Sequence, residues 1–502
     1  MEVYLAGYNV DTEVLKELQQ RGGKCDDLTP EVLSAAYARI SRDPRPINEI
    51  RRDARREVER ARKSNRTIIF KMGHHSVAEH AVFNIDIMGV SRRAVEEVEK
   101  FRLCSYTEKS QRYITLDKGF VVPEEIKGTS FEKPFLVLIS EQISAYEYFF
   151  GRLKEYIFKK HKELSGDPKN HDILEGWAKE DARYITPLAT ESQVGLTINA
   201  RNLELMLRRF ASHSLEEIKQ LGRAIYREIA EVAPSIVIFH EANEYDKNTY
   251  PYIKELAKNI IDSCESVSLE ELVRLVEYTP EGDNIVASAL LHTSSDLSYS
   301  ECLSIIKNLS WEIKREIFKR AWEKMEFYDA VLREFEYVNL TFNIILSSAC
   351  FGQLKRHRMV TLTVQEYNPQ LGVTIPPSIK EINEEKRFKA VIEKTNDLYY
   401  KIKKQIPLVA SYILTNAHRR RVLLKVNARQ LYHISRLRED VHAQWDIRNI
   451  AHLMSIKAKE VMPLVFELIG PKDKYNEIYQ NVFGKLPRVT KAVLPGIRKI
   501  KS

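Results

Sequence analysis

The sequence predicts an α+β fold made of two related, helix-rich halves. Segments with strand character and segments with helical periodicity come in separate blocks, which favours α+β over a parallel α/β sheet. Short motifs recur in the same order in the two halves, which indicates tandem domains. The chain has 502 residues, a length that accommodates roughly two to four domains.

The repeated motifs define the predicted domain boundaries. Each of four segments in the first half has a counterpart in the second half: 35–41 and 288–294, 99–113 and 354–368, 199–203 and 427–431, 230–237 and 459–466. The clearest pair is N-A-R-N-L against N-A-R-Q-L. We therefore expect one domain over 1–240, a polar connection over 240–252, a second domain over 250–475 and a basic tail over 476–502.

The composition is that of a soluble globular protein. Hydrophobic residues make up 44% of the chain and charged residues 29%, and no window approaches the roughly 18 apolar residues of a membrane span. The five cysteines lack metal-ligand spacing, which predicts reduced thiols in a cytoplasmic protein. The net charge of +8 suits anionic ligands, but the 70 acidic residues dilute it and do not favour nucleic acid.

Periodicity predicts the individual elements. Segments 82–90 and 337–346 are rich in β-branched residues and predict strands. Segment 48–65 is a charged helical run, for which a solvated face is favoured over nucleic-acid binding. Segment 427–454 carries apolar residues at three- and four-residue steps, which predicts one long helix.

The second half concentrates positive charge around that long helix. Arg356, His357 and Arg358 stand in a row, and H-R-R-R occupies 418–421. Asn427 and Arg438 are eleven residues apart, three helical turns, and so share a face, with His442 one further turn on. Arginine suits a phosphate and matches the imide edge of a pyrimidine. A salt-bridged surface helix is the alternative interpretation.

The first half offers a different set of polar residues. The stretch G-H-H-S-V-A-E-H at 73–80 contains a histidine and carboxylate pattern, but no third or fourth metal ligand is evident. Glu108, Ser110 and Arg112 surround a predicted turn that can hold a phosphate and a sugar hydroxyl. A polar hairpin is the alternative there. Dinucleotide, Walker and nucleophile-elbow motifs do not occur.

Together these segments resemble the flavin-dependent thymidylate synthases. That family carries R-H-R-x-x-S-x-N-E-x-S-x-R-Y, with G-H-x-[ST]-x-x-E-H upstream and N-A-R-x-L…R…H-A-Q-W-E-I downstream. The resemblance covers most of the chain, twice over. It implies an α+β fold with an antiparallel sheet and long helices in each domain. It also implies transfer of a methylene from methylenetetrahydrofolate to dUMP, using FAD reduced by NADPH, in homotetramers with sites between subunits.

Each half departs from the family pattern where the other half keeps it. The first half keeps G-H-x-S and E-x-S-x-R, but Lys100-Phe101-Arg102 replaces R-H-R and Gln193 replaces an arginine. The second half keeps R-H-R and H-A-Q-W, but Glu366 and Asn368 replace the serine and arginine of the turn. The resemblance therefore implies one composite site per chain and a homodimer that reproduces a four-domain assembly.

The resemblance assigns a role to each matching residue. Arg438 is expected to be catalytic. The expected substrate-binding residues are Glu108, Ser110, Gln111, Arg112, Gln353, Arg356, Arg421 and Arg438. The expected cofactor-binding residues are His74, Ser76, Glu79, Glu108, Arg356, His357, Arg358, Asn427, Arg429, His433 and His442. No metal is expected. Modification of another pyrimidine nucleotide and non-catalytic nucleotide or flavin binding remain alternatives.

Overall fold

The computed structural model describes residues 1–21, 28–71, 73–112, 119–261 and 271–488. The strands are β1 Glu2–Tyr8, β2 Val82–Ser91, β3 Cys104–Glu108, β4 Glu191–Asn199, β5 Val273–Tyr278, β6 Asn339–Ser347, β7 Thr361–Val364 and β8 Arg419–Asn427. The helices are α1 Thr12–Arg21, α2 Glu31–Arg39, α3 Ile47–Arg56, α4 Val58–Asn65, α5 Arg92–Val98, α6 Glu132–Lys160, α7 Lys162–Ser165, α8 His171–Ala182, α9 Ala200–Ala211, α10 Glu216–Val232, α11 Glu244–Ile261, α12 Gly282–Thr293, α13 Tyr299–Lys307, α14 Trp311–Trp322, α15 Ser348–Leu354, α16 Pro377–Glu381, α17 Glu385–Gln405, α18 Ala428–Arg438, α19 Trp445–Val461 and α20 Tyr475–Phe483.

The described strands form two four-stranded antiparallel sheets of the same topology. One sheet has the order β1-β2-β4-β3 and the other β5-β6-β8-β7. In β2 the alternate residues Phe83, Ile85 and Ile87 are buried, as expected for a strand with one face on a core. The α+β fold and the strands predicted over 82–90 and 337–346 are confirmed.

The described residues divide into two compact units that do not follow the order of the repeats. The first unit contains those within Met1–Ser268 and Gly372–His418, and the second those within Leu269–Leu371 and Arg419–Ser502. Helices α16 and α17, which come from the second repeat, therefore belong to the first unit. The repeat boundaries at 240 and 250 stay a prediction.

Side-chain and main-chain hydrogen bonds hold the segment 372–418 within the first unit. Buried Gln142 on α6 donates from Nε2 to Thr395 Oγ1 at 2.9 Å and to the Ile413 carbonyl at 2.8 Å. The Leu188 amide donates to the Leu414 carbonyl at 2.8 Å. Since these groups are buried, losing them costs more than an exposed hydrogen bond does.

The second unit has its own apolar core, which extends to α20. Trp322, Phe335 and Tyr432 pack together there with ring centroids about 6 Å apart. Tyr479 and Val482 of α20 are buried in the same core. The predicted tail thus begins with a packed helix, while residues 489–502 lie outside the described part of the chain.

The predicted long helix over 427–454 is wrong, because the chain forms α18 and α19 with a non-helical connection at 439–444. Gln444 causes the interruption: its Oε1 accepts the amides of Asp446 and Ile447 and so caps α19. His442 consequently does not continue the helical face of Arg438. The run over 48–65 is likewise two helices, and the polar connection is helical from Glu244.

Candidate active site

Ser347 fixes the start of the segment that carries Gln353 and the R-H-R triplet. Its hydroxyl accepts the Cys350 amide at 3.0 Å, capping α15, and donates to buried Asp446 at 2.6 Å on the first turn of α19. One side chain therefore joins two helices. The residues that follow α15 are held in a defined place relative to α19.

Gln353 lies at the end of α15 and is 7% exposed. Its Nε2 is 3.5 Å from Gln444 Oε1. Its own Oε1 is buried and has no hydrogen-bond partner among the described residues. A buried carbonyl oxygen without a donor is costly, and it suits a ligand that brings an N–H or O–H group.

Arg438 and His357 form a hydrogen-bonded pair in the second unit. The Nε of Arg438, the last residue of α18, donates to Nε2 of His357 at 2.9 Å. His357 is 5% exposed, and its ring meets that of His433 edge-on with centroids 5.7 Å apart. Burial, reinforced by the charge of Arg438, lowers the pKa of His357 to about 3. The imidazole is therefore neutral at physiological pH.

The H-R-R-R segment contributes less exposed charge than its sequence indicates. Arg420 is 2% exposed, with its guanidinium over the rings of Phe351 at 4.8 Å and Tyr367 at 4.3 Å. His418 is fully buried, and burial lowers its pKa to about 3. Because strand side chains alternate, only Arg419 and Arg421 of the four point to the more open face of β8.

The N-A-R residues of the second repeat have structural partners. Asn427 caps α18 by accepting the Gln430 amide at 2.8 Å. Arg429 donates to the Val331 carbonyl and to Glu336, both at 2.9 Å. Asn427 and Arg429 therefore already have partners within the protein, and the flavin contacts predicted for them come in addition to these hydrogen bonds. His442 is exposed, and its Nδ1 lies 2.7 Å from Asp440.

The Glu108–Arg112 segment of the first unit lies in a network of buried charges. Arg92 donates to Glu108 at 3.1 Å, and Arg112 donates to Glu180 at the same distance. Ser110 accepts the Arg112 amide at 3.2 Å, which closes the predicted turn. Gln111 is buried, and its Oε1 accepts from Asn416 at 3.1 Å. Glu108, Ser110, Gln111 and Arg112 therefore lie beside charged side chains of the first unit.

Sequence reasoning missed Arg92, Glu180 and Arg183 in this network. Arg183 is buried, its Nε donates to the Glu180 carbonyl at 3.2 Å, and its Nη2 has no hydrogen-bond partner among the described residues. Burial lowers its pKa, although nearby Glu180 raises it. Neither E-D-A-R nor S-R-R resembles a site in isolation, so no local signal pointed to them.

The G-H-H-S motif leads into a short 3₁₀ helix, His75–His80; His74 immediately before it and Ser76 within it are exposed. Glu79 pairs with Arg201 of the first N-A-R motif. The second repeat lacks G-H-x-S but keeps the equivalent pair, Glu336 with Arg429. No group of three metal-ligating side chains occurs in the described ranges.

Comparison with known proteins identifies the family. A family model described as thymidylate synthase complementing protein matches residues 26–235 and 274–464. This chain belongs to that family. The double match agrees with the two sheets of identical strand order.

The relatives of this chain fall into two groups. It is 24% identical over 473 residues to a UPF0159 protein of Thermoplasma acidophilum, covering 87% of this chain and 94% of that protein. It is 30% identical over 213 residues to a flavin-dependent thymidylate synthase of Clostridium tetani, covering 41% of this chain and 80% of that enzyme. A UMP/dUMP methylase structure from Streptomyces cacaoi aligns at 19% identity over 47% of this chain and 92% of its own, with a TM-score of 0.31.

The two copies of the thymidylate synthase complementing fold differ at corresponding positions. The Lys109 and Gln365 amides donate to the carbonyls of Gln193 and Arg421, which fixes the register of each edge strand against its neighbour. In that register the first unit has Phe101 and Phe210 where the second has His357 and Arg438. The rings of Phe101 and Phe210 meet edge-on, with centroids 6.0 Å apart.

Glu97 occupies the place of Gln353 in the first unit. It is buried and pairs with Arg93, Lys100 and His213. The position that carries an unpartnered acceptor in one unit is therefore an ion-pair cluster in the other.

No helix in the described residues is long and apolar enough to cross a membrane.

Proposed function

We propose that the protein is a cytoplasmic enzyme that methylates dUMP to dTMP, with FAD, NADPH and methylenetetrahydrofolate. The observation that carries the proposal is the Arg438–His357 hydrogen bond, because buried His357 lies on the turn that follows α15, the helix that carries Gln353 and its unpartnered Oε1. A fixed guanidinium suits the imide edge of a uracil. Family membership supplies the reaction class.

The proposed site is composite and draws on both repeats. From the second repeat, Arg438 binds the uracil edge and favours the ionised N3, while Arg421 and Gln353 bind phosphate. From the first repeat, Ser110, Gln111 and Arg112 bind phosphate, and Glu108 binds the ribose. The complementary losses support this division, since Glu97 and Phe210 replace Gln353 and Arg438 in the first unit, and Glu366 and Asn368 replace Ser110 and Arg112 in the second.

The residues present fit a flavin dinucleotide. Arg356 is exposed and Arg358 half-buried on the turn after α15, so both are accessible to a pyrophosphate. Asn427, Arg429, His433 and His442 are the other proposed flavin contacts, and the ring of His433 meets that of His357 on this turn. When bound, reduced FAD supplies the reducing equivalents and methylenetetrahydrofolate supplies the carbon. Exposed His74 and Ser76, with Glu79, are the proposed folate contacts.

The contribution of the chain to catalysis is alignment and electrostatics. Holding the carbon donor and the acceptor in register supplies several kcal/mol. A preorganised guanidinium at the developing charge contributes about 3 kcal/mol. Because His357 is a neutral imidazole, its hydrogen bond to Arg438 does not itself cancel the positive charge. In the proposed homodimer two chains provide the four domains of the family assembly.

Tritium release from [5-³H]dUMP tests the proposal. Wild-type protein with reduced FAD and methylenetetrahydrofolate is expected to release tritium and form dTMP. Arg438→Ala is expected to lower single-turnover release by at least about 100-fold while retaining flavin, because its role is at the pyrimidine. Retention of flavin without tritium release by the wild type would contradict the methylation proposal and favour a non-catalytic binding protein.

A further inference from the structure

We propose that His357 is a positioning residue that orients Arg438 toward the pyrimidine without reducing its charge. This inference rests on the proposed function and deepens it. The resemblance placed His357 at the flavin, whereas the structure places its Nε2 2.9 Å from Nε of Arg438. The proposed role of His357 therefore concerns nucleotide binding, through Arg438, rather than direct contact with the flavin.

The hydrogen bond fixes the tautomer of His357. A guanidinium has only donors, so Nε2 of His357 must be the acceptor and must be unprotonated. The single ring proton then lies on Nδ1. An imidazolium cannot make this bond, and it would also place two positive charges in contact. The pair exists only while His357 is neutral, which the lowering of its pKa by burial ensures.

The backbone and packing of His357 allow little movement. Its amide donates to the Leu354 carbonyl at 3.1 Å at the end of α15, and its carbonyl accepts the Val360 amide at 3.4 Å. The ring is buried against His433. An acceptor held this firmly fixes the direction of the Arg438 side chain, as required of a residue that supports a binding group.

A neutral acceptor has a specific consequence for the charge of Arg438. A carboxylate at this place would form a salt bridge and cancel much of the field that the guanidinium exerts on a ligand. A neutral histidine supplies the same directional bond and adds no opposing charge of its own. That combination suits a group that must stabilise an ionised pyrimidine.

The first unit contains the same arrangement with both partners replaced. Phe101 and Phe210 stand at the positions of His357 and Arg438 and contact each other through their rings. Neither member has been replaced alone. The joint replacement is expected if the histidine serves the arginine, since a half-buried arginine that loses its acceptor is less stable.

The test compares His357→Phe, which reproduces the residue of the first unit, with His357→Gln, which retains a carbonyl acceptor. We expect His357→Phe to lower kcat/KM for dUMP about 10- to 100-fold. FAD affinity, measured by flavin fluorescence, is expected to stay within about twofold. His357→Gln is expected to recover most of the loss. Trp322→Phe, a core change in the same unit, controls for lost stability alone.

A double-mutant cycle with Arg438→Ala gives the second readout. The affinity for dUMP should fall when His357→Phe is introduced into the wild type. It should not change when His357→Phe is introduced into Arg438→Ala. Full activity of His357→Phe, or an equal loss of FAD binding in both His357 variants, would overturn the positioning role alone. A wild type that neither binds nor methylates dUMP would overturn the proposed function and this role together.

Discussion

Buried histidines in this protein are held neutral by their surroundings. His357 accepts from Arg438, and His418 accepts the Thr415 amide through Nδ1 at 2.9 Å while its Nε2 lies 2.8 Å from Asn396. Burial lowers the pKa of each to about 3. These histidines therefore act as fixed hydrogen-bonding groups rather than as physiological proton carriers.

This neutrality predicts a pH-dependent stability. Between pH 6.5 and 3 the unfolded chain protonates these histidines and the folded chain does not, so the free energy of unfolding falls as pH falls. Each histidine contributes about 1.4 kcal/mol per pH unit within that window. Urea denaturation between pH 6 and 5 measures the slope, to which carboxylates that begin to titrate near pH 5 also contribute.

His418→Gln serves as the matched variant for that slope. Its stability should depend less on pH than that of the wild type, by about 1.4 kcal/mol per unit. The variant lacks one group that the unfolded state protonates. Equal slopes for the two proteins would contradict the account of a neutral buried histidine.

At the scale of elements, the start of α15 determines where Gln353 and His357 lie. Ser347 both caps α15 and donates to Asp446 on α19. Ser91 caps α5 in the first unit in the same way and donates to Glu217 on α10 at 2.7 Å. Both repeats thus use one serine and one carboxylate to join the two helices.

Ser347→Ala is expected to lower the free energy of unfolding by about 2–3 kcal/mol, because it removes a cap and leaves Asp446 buried without that donor. Ser298→Ala is the control, since Ser298 caps the exposed start of α13 and should cost only about 1 kcal/mol. Chemical denaturation measures both. If both variants lost the same small amount of unfolding free energy, the Ser347–Asp446 hydrogen bond would not stabilise the packing of α15 against α19.

The elements that local patterns determine were predictable, and those that distant partners determine were not. β2 and β6 followed from their β-branched alternation. The break between α18 and α19 did not, because apolar periodicity continues through 439–444 and only the cap by Gln444 interrupts it. Arg420 was expected to add to the positive charge beside the helix, yet its guanidinium lies over the rings of Phe351 and Tyr367.

At the scale of the whole molecule, the sequence repeats and the compact units are different divisions of the chain. The motif order located the repeats, and the family model matches each of them. The assignment of 372–418 to the first unit depends on contacts such as that of Gln142 with Thr395, which no periodicity encodes. Arg183 was also not predicted, since nothing in its local sequence indicates that it is buried.

The central claim is that each chain contributes one nucleotide site that needs residues of both repeats. Equilibrium titration of dUMP against the wild type, Arg112→Ala, Arg438→Ala and the double variant measures this most directly. The account predicts one dUMP per chain, a loss of affinity of at least about 10-fold in either single variant, and a double variant weaker by less than the product of the two. Two nucleotides per chain, or binding that depends on only one of the two arginines, would contradict it.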